Sequence, residues 1–197
     1  MKILYCDQNI AVCIKQVNMD SEKQVPEALA GELGGEIFTV HRLDKNVGGV
    51  MVYARNQKTA AQLSAGIRDG LMVKEYLALV HGTPPQSGIW EDLLFKDSTK
   101  NKVYVVKRKR AGVKAAKLEF DCLTRDERSL VHIRLHTGRS HQIRVQFASR
   151  GFALVGDRKY GAKDKATAPM LHSFRITFSY GGKTFMFEDT PAWAKLG

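Results

Sequence analysis

The sequence predicts an α+β fold in which a mixed, largely antiparallel central sheet carries flanking helices and loops. Two observations predict it. Short apolar runs bounded by turn residues recur along the whole chain. Only three stretches, near 24–33, 57–68 and 140–150, carry helix signals. There is no internal repeat and no low-complexity tract, and residues 1–197 are expected to form a single domain with a real core.

Taken in order, residues 2–6 and 10–15 read as two short strands about the turn Asp7-Gln8-Asn9. A polar loop runs from Val17 to Lys23. Residues 24–33 read as a short helix, with Pro26 near its first turn and Gly34-Gly35 as its stop. The apolar run Ile37 to Val40 then leads into His41-Arg42-Leu43-Asp44-Lys45-Asn46-Val47-Gly48-Gly49, and Val50 to Tyr53 leads out. If that stretch is extended, Arg42 and Asp44 share one face and His41 and Leu43 the other. The two glycines allow a tight turn or a close backbone approach. Asn56 can cap a helix from Gln57 to about Arg68, with Ala60, Leu63 and Ile67 as its apolar stripe. Residues 71–81 read as a strand with Lys74, Tyr76, Ala78 and Val80 on one face. Gly82 to Gly88 is a loop. Val103 to Val106 is strand-like, and Lys107 to Gly112 reads as a basic hairpin loop. Residues 115–124 and 129–136 read as strands about Asp126-Glu127. A helix from Ser140 ends near Arg150, before Gly151. The loop Gly156 to Gly161 precedes two last strands, near 171–179 and 183–187, joined by Gly181-Gly182.

Composition narrows the function classes. No apolar run approaches the roughly 20 residues of a membrane helix, and the N-terminus is charged too early for a signal peptide. Cys6, Cys13 and Cys122 are odd in number and lack metal-ligand spacing, so they read as reduced thiols in a reducing cytoplasm. His132, His136 and His141 do not complete a metal site, because His141 begins a helix and no second cluster adds ligands. There is no phosphate-binding glycine loop and no nucleophile elbow. The net charge is +11, from 31 Lys+Arg against 20 Asp+Glu. Eight of those cations, including Lys107, Arg108, Lys109 and Arg110, fall between Lys100 and Lys117 with no acid among them. Solubility alone does not require such concentration, and a nucleic-acid backbone is the partner it suits.

Two residues stand out as needing each other. Asp44 is a carboxylate between two apolar runs, which is costly without a cation. At 100° per residue, Arg144 falls inside the apolar face of the helix, between Phe147 and Ala148, while Gln142, Gln146 and Ser149 lie opposite. A buried arginine wants a carboxylate, and its planar fork suits a bidentate one. Asp44 is the best candidate from sequence. A purely structural ion pair is the other reading.

Four segments together resemble the RluA-type pseudouridine synthases. They are His41-Arg42-Leu43-Asp44 with its glycine turn, Lys74-Glu75-Tyr76-Leu77-Ala78-Leu79-Val80-His81-Gly82, Thr137-Gly138-Arg139-Ser140-His141-Gln142-Ile143-Arg144, and Gly156-Asp157-Arg158-Lys159-Tyr160-Gly161. The order of the four makes the resemblance specific. It implies the pseudouridine synthase fold, and isomerisation of uridine in rRNA or tRNA by a monomer without cofactor or metal. Asp44 is then the catalytic aspartate, Tyr76 packs on the uracil and assists proton transfer at C5, and Arg144 holds Asp44. Arg42 fills the space of the flipped base. His41, Lys74, Arg139, His141 and the 107–110 cations are expected on the substrate side. Asn46-Val47-Gly48 stands where the family usually has Thr-Ser-Gly, and no S4-like RNA-binding domain is expected before the catalytic sequence. The alternative is a non-catalytic RNA-binding protein or RNA chaperone on the same fold.

Overall fold

The computed structural model describes residues 1–194. The chain order begins with strands β1 (Lys2–Cys6) and β2 (Ile10–Lys15), helix α1 (Gln24–Leu33), strands β3 (Phe38–Thr39) and β4 (Gly48–Ala54), and helix α2 (Gln57–Arg68). Strands β5 (Val73–His81), β6 (Ser87–Asp97), β7 (Lys102–Val106), β8 (Val113–Cys122) and β9 (Arg128–Leu135) follow. Helix α3 (Gln142–Ala148), a 3-10 turn at Arg158–Tyr160, and strands β10 (Leu171–Tyr180) and β11 (Lys183–Glu188) complete it. Two compact units result. One joins Met1–Lys74 to the C-terminal stretch from His172, and the other is Glu75–Leu171.

The first unit is built on β4, which is buried at every position. Strand β2 runs antiparallel to it, with Ile10 opposite Ala54 and Lys15 opposite Gly49. Strand β10 joins it in parallel, with His172 opposite Gly48 and Ser173 opposite Gly49. The sheet is therefore mixed, as expected. Gly49 has φ +123°, and a Cβ there would sit 2.3 Å from the Ser173 carbonyl oxygen. The glycine pair thus serves close approach of two backbones rather than a turn. Ile10, Val12, Val50, Val52, Ile176 and Phe178 form one core layer, closed by Leu63 of α2. That helix starts as its sequence predicts, the Asn56 side chain accepting from the Thr59 N–H at 2.9 Å.

In the second unit the strand order is β5-β9-β8-β6-β7. Strand β6 occupies a region the sequence reading left mostly unassigned. Its period-two signal fails because both faces mix apolar and charged residues. Ile89 points outward and is 59% exposed, while inward Asp92 is bound by Gln146 at 2.7 Å and by Arg150 at 2.8 Å. The segment Lys107 to Gly112 is not a hairpin loop. Strands β7 and β8 both pair with β6, Phe95 lying opposite Tyr104 on one side and Val113 on the other. The basic loop therefore passes over β6 between Leu93 and Phe95, with Gly112 against the Phe95 ring.

Helix α3 is shorter than the expected 140–150, because His141 is left-handed (φ 51°) and does not extend it. Of its expected polar face, Ser149 is exposed but the two glutamines are buried. Gln142 and Gln146 lie inside the unit, and each finds partners there. Gln142 accepts from Thr137 Oγ1 and Arg139 N–H, while Gln146 donates to Asp92 and to the Trp90 carbonyl. The Gln142 amide is met on both sides, whereas the Gln146 side-chain oxygen is buried without a hydrogen-bond partner among the described residues. Trp90, Phe120 and Phe147 pack against it as an aromatic cluster with centroids 4.4–5.5 Å apart.

Candidate active site

The loop of the first unit follows the alternation its sequence predicts. His41 and Leu43 are buried, Arg42 is exposed and Asp44 is half-buried. Leu43 is pinned through its backbone, since Ser21 Oγ donates to its carbonyl at 3.0 Å and accepts from its N–H at 3.3 Å. Asp44 opens a tight turn, its carbonyl accepting from the Val47 N–H at 2.9 Å. Asn46 is not left-handed, so this departure from the family pattern does not strain the turn.

Beneath the turn lies Lys15, 0% exposed at the end of β2. Its Nζ donates to the carbonyls of Gln16 (3.0 Å), Met19 (2.8 Å) and Lys45 (3.1 Å). Burial pulls its pKa down to about 8, against the opposing pull of Asp20 and Asp44. The lysine thus ties the catalytic-type loop to β2. The sequence reading gave Lys15 no role in any site.

His41 has a different place from the one expected. It is buried, its Nε2 accepts from the Val52 N–H at 3.2 Å, and burial with Lys74 nearby pushes its pKa down to about 3. A neutral ring bonded to the strand backbone belongs to the fold, and this replaces its expected substrate contact. Arg42 is ion-paired to Glu22 at 3.1 Å on the surface. Lys74 is half-buried, and burial lowers its pKa.

The second unit carries Tyr76 and Arg144. Tyr76 is buried on β5. Arg144, 5% exposed, grips Asp157 bidentately. Its Nε lies 2.7 Å from Oδ2 and its Nη2 2.8 Å from Oδ1. The demand for a bidentate carboxylate was legible, and within this unit Asp157 meets it. Asp157 comes from the Gly156–Gly161 loop, which is locked in turn. Gly156 has φ +82°, and a Cβ there would sit 2.1 Å from the Ala168 carbonyl oxygen. Asp164 accepts from the Gly156 N–H at 2.9 Å, and that bond with others holds its carboxyl down at about 2. The Tyr160 ring faces the Arg144 guanidinium at 5.1 Å. Its hydroxyl accepts from the Val103 N–H at 2.9 Å and lies 2.8 Å from His141 Nδ1. Tyr160 therefore joins the basic strand β7 to the start of α3.

The remaining expected cations are on the surface. Arg139 is exposed and donates from Nε to the Ala115 carbonyl at 2.9 Å. Lys107, Arg108, Lys109 and Arg110 are exposed, with Arg110 over the Phe95 ring at 4.6 Å. Asp157, Tyr160, Lys15 and Ser21 were missed as site residues. The signal for Asp157 was its place in the fourth motif, where it precedes two cations. Among the described residues no group of three or more His, Cys, Asp or Glu could hold a metal ion, and no helix is long and apolar enough to cross a membrane.

What this geometry offers is a half-buried carboxylate on a backbone-fixed loop in one unit. In the other it offers a guanidinium fixed at two points by Asp157, and a buried tyrosine, Tyr76, on β5. Solved structures share the fold. Human RNA pseudouridylate synthase domain containing 4 aligns with TM-score 0.82 at 22% identity, over 98% of this chain and 89% of that one. Human RNA pseudouridylate synthase domain containing 1 aligns with TM-score 0.84 at 22% identity, over 96% and 83%.

A family model of RNA pseudouridylate synthases matches residues 11–149, and the chain belongs to that family. It is 34% identical over 151 residues to ribosomal large subunit pseudouridine synthase D of Borreliella burgdorferi, covering 74% of this chain and 46% of that protein. It is 36% identical over 166 residues to an uncharacterized RNA pseudouridine synthase of Zymomonas mobilis, covering 80% and 75%. The chain spans about half the length of several curated relatives it matches.

Proposed function

We propose that this protein isomerises uridine to pseudouridine in RNA, with Asp44 as the catalytic carboxylate. The observation that carries the reading is the family match from 11 to 149, which contains Asp44, Tyr76 and Arg144 together. In the reaction the N1–C1′ bond of uridine breaks, a C5–C1′ bond forms, C5 loses its proton and N1 gains one. No oxidant, reductant or cofactor enters that balance. Asp44 attacks or otherwise activates the nucleoside, which requires it ionised at neutral pH. Arg144, held at two points by Asp157, is the cation of the third motif and belongs to the same catalytic machinery. Tyr76 packs against the uracil and assists the proton transfer at C5. Arg42 fills the stack left by the flipped nucleotide, whose extrusion costs a few kcal/mol. Lys74, Arg139, His141 and the 107–110 loop contact the RNA.

Ribosomal RNA is the substrate class favoured by the names of the relatives, and tRNA is the other. The protein works as a cytoplasmic monomer. The test is tritium release from RNA labelled at uracil C5. Wild type should release tritium and Asp44→Ala should release none. Wild type without activity on total bacterial rRNA and tRNA would overturn the reading.

A further inference from the structure

The sheet of the second unit has two unlike faces. Trp90, Leu94, Ala116 and Phe120 point inward, beneath or beside α3. On the outer face, Phe95 stands opposite Tyr104 and Val113 in the strand register, so the three share that face. Tyr104 is 37% exposed and Ile89, further along β6, more so. An apolar row in water on an ordinary sheet would be broken by outward charges. Here the outward cations stand on the rings instead. Arg110 lies over Phe95 at 4.6 Å and Lys102 over Tyr104 at 5.7 Å.

Around the aromatic row the acids of this face are engaged, Glu119 further along lies 3.2 Å from His136, and Asp121 stands exposed at the far end of β8. Glu91 is paired with Lys117 at 2.7 Å. Asp97 Oδ1 accepts from Thr99 N–H, Thr99 Oγ1 and Lys100 N–H. From Ser98 to Leu118 the chain carries eight cations and no acid. Rings with a π-face, flanked by the exposed Lys107 to Arg110 cations, match the two parts of an unpaired nucleotide, its base and its phosphate. A second copy of this chain would set one cationic loop against another. A duplex offers no free base faces to stack.

We propose that the outer face of β6-β7-β8 is a stacking platform for a single-stranded RNA segment flanking the target uridine. The bases rest on Tyr104 and on the Arg110 guanidinium, which the Phe95 ring supports from below, and the phosphates lie along Lys107 to Lys109. This rests on the reading of the protein as one that acts on RNA. It adds a second contact region and a preference for substrates with an unpaired flank.

The test compares two fluorescent probes by anisotropy. One is a uridine-containing RNA hairpin, and the other is the same hairpin with a single-stranded tail of roughly ten nucleotides. The tail should tighten binding to wild type about tenfold or more, the scale of one or two stacked bases. The double variant Phe95→Leu/Tyr104→Ser should lose most of that difference between probes. Tyr104→Ser alone, at a solvent-facing position of an edge strand, should lose part of it and serves if the double variant does not fold. A tail that adds nothing to wild type, or an increment that survives both variants, overturns the platform. So does a concentration-dependent dimer that the substitutions abolish. Tritium release from the bare hairpin reads the catalytic proposal separately, so the two fail independently.

Discussion

Lys15 in the first unit and Arg144 in the second are both buried cations beside a family motif, and the fold satisfies them in different ways. Lys15 has three carbonyl oxygens around a compact ammonium. Arg144 has the Asp157 carboxylate meeting its planar fork at two points. The difference follows from donor geometry, since an ammonium can turn its three hydrogens to separate acceptors and a guanidinium cannot. It also follows that the two clamps respond differently to pH. No full charge bonds to Lys15, so burial dominates and its pKa falls to about 8. Asp157 is the bonded counter-ion of Arg144, which stays charged throughout.

The sharpest way to break this comparison is to remove the counter-ion. Asp157→Asn should destabilise the protein by about 3–5 kcal/mol, because it removes the bidentate carboxylate from a buried guanidinium. Urea unfolding measures it, and a loss below about 1 kcal/mol would mean that Arg144 does not depend on Asp157. The double variant Arg144→Met/Asp157→Leu should recover most of that stability while remaining inactive in tritium release. A double variant with full activity would remove Arg144 from the proposed mechanism.

Lys15→Met should cost less, about 1–3 kcal/mol, because it leaves neutral carbonyls without a donor rather than a charge without a partner. Its pH dependence carries a definite sign. The folded pKa is about 8 and the unfolded one 10.5. Between those values the unfolded chain holds more protons, so this group's contribution to stability rises with pH across that window. Wild type should therefore gain on Lys15→Met from pH 8 to 10 in paired unfolding curves. A gap that narrows over that range would show that the carbonyl cradle outweighs the burial of the charge.

His41 extends the comparison to the acid side. Its folded pKa is about 3 against 6.5 unfolded. The stability of its neutral form is complete above pH 6.5 and is lost as pH falls toward 3, at up to about 1.4 kcal/mol per pH unit. His41→Gln should flatten that slope in acid titrations of stability. An identical slope in the variant would assign acid sensitivity to other groups.

The parts of the fold legible in the sequence were those where one local rule acted alone. Asn56 caps α2 because an amide stood before a helical stripe. The order of burial at His41, Arg42, Leu43 and Asp44 followed from alternation. Strand β6 was illegible because Asp92 and Trp90 point inward while Ile89 and Leu93 point outward, so packing partners decide its faces rather than pattern. At the site, the kind of partner Arg144 required could be deduced from its apolar neighbours. Asp157 could not be singled out, because its loop is placed against α3 only by the chain's return through Gly156 and Ala168. Lys15 was hidden for a related reason. Lys15-Gln16 only hints at the family's first motif, and the carbonyls that bury the lysine come from residues as far away as Lys45.

The smallest expected effect tests whether backbone clamps or loop side chains define the Asp44 turn. The turn closes through the Val47 N–H, Asn46 is exposed without a left-handed φ, and Lys15 holds the Lys45 carbonyl from below. Asn46→Thr, which restores the more usual family residue, should therefore change stability by less than about 0.5 kcal/mol. It should leave the rate of tritium release within about twofold, since a shift under 0.5 kcal/mol corresponds to little more than that. A several-fold gain in rate with unchanged stability would mean that a hydroxyl at this position contacts the RNA. The turn would then owe part of its function to a side chain this protein lacks.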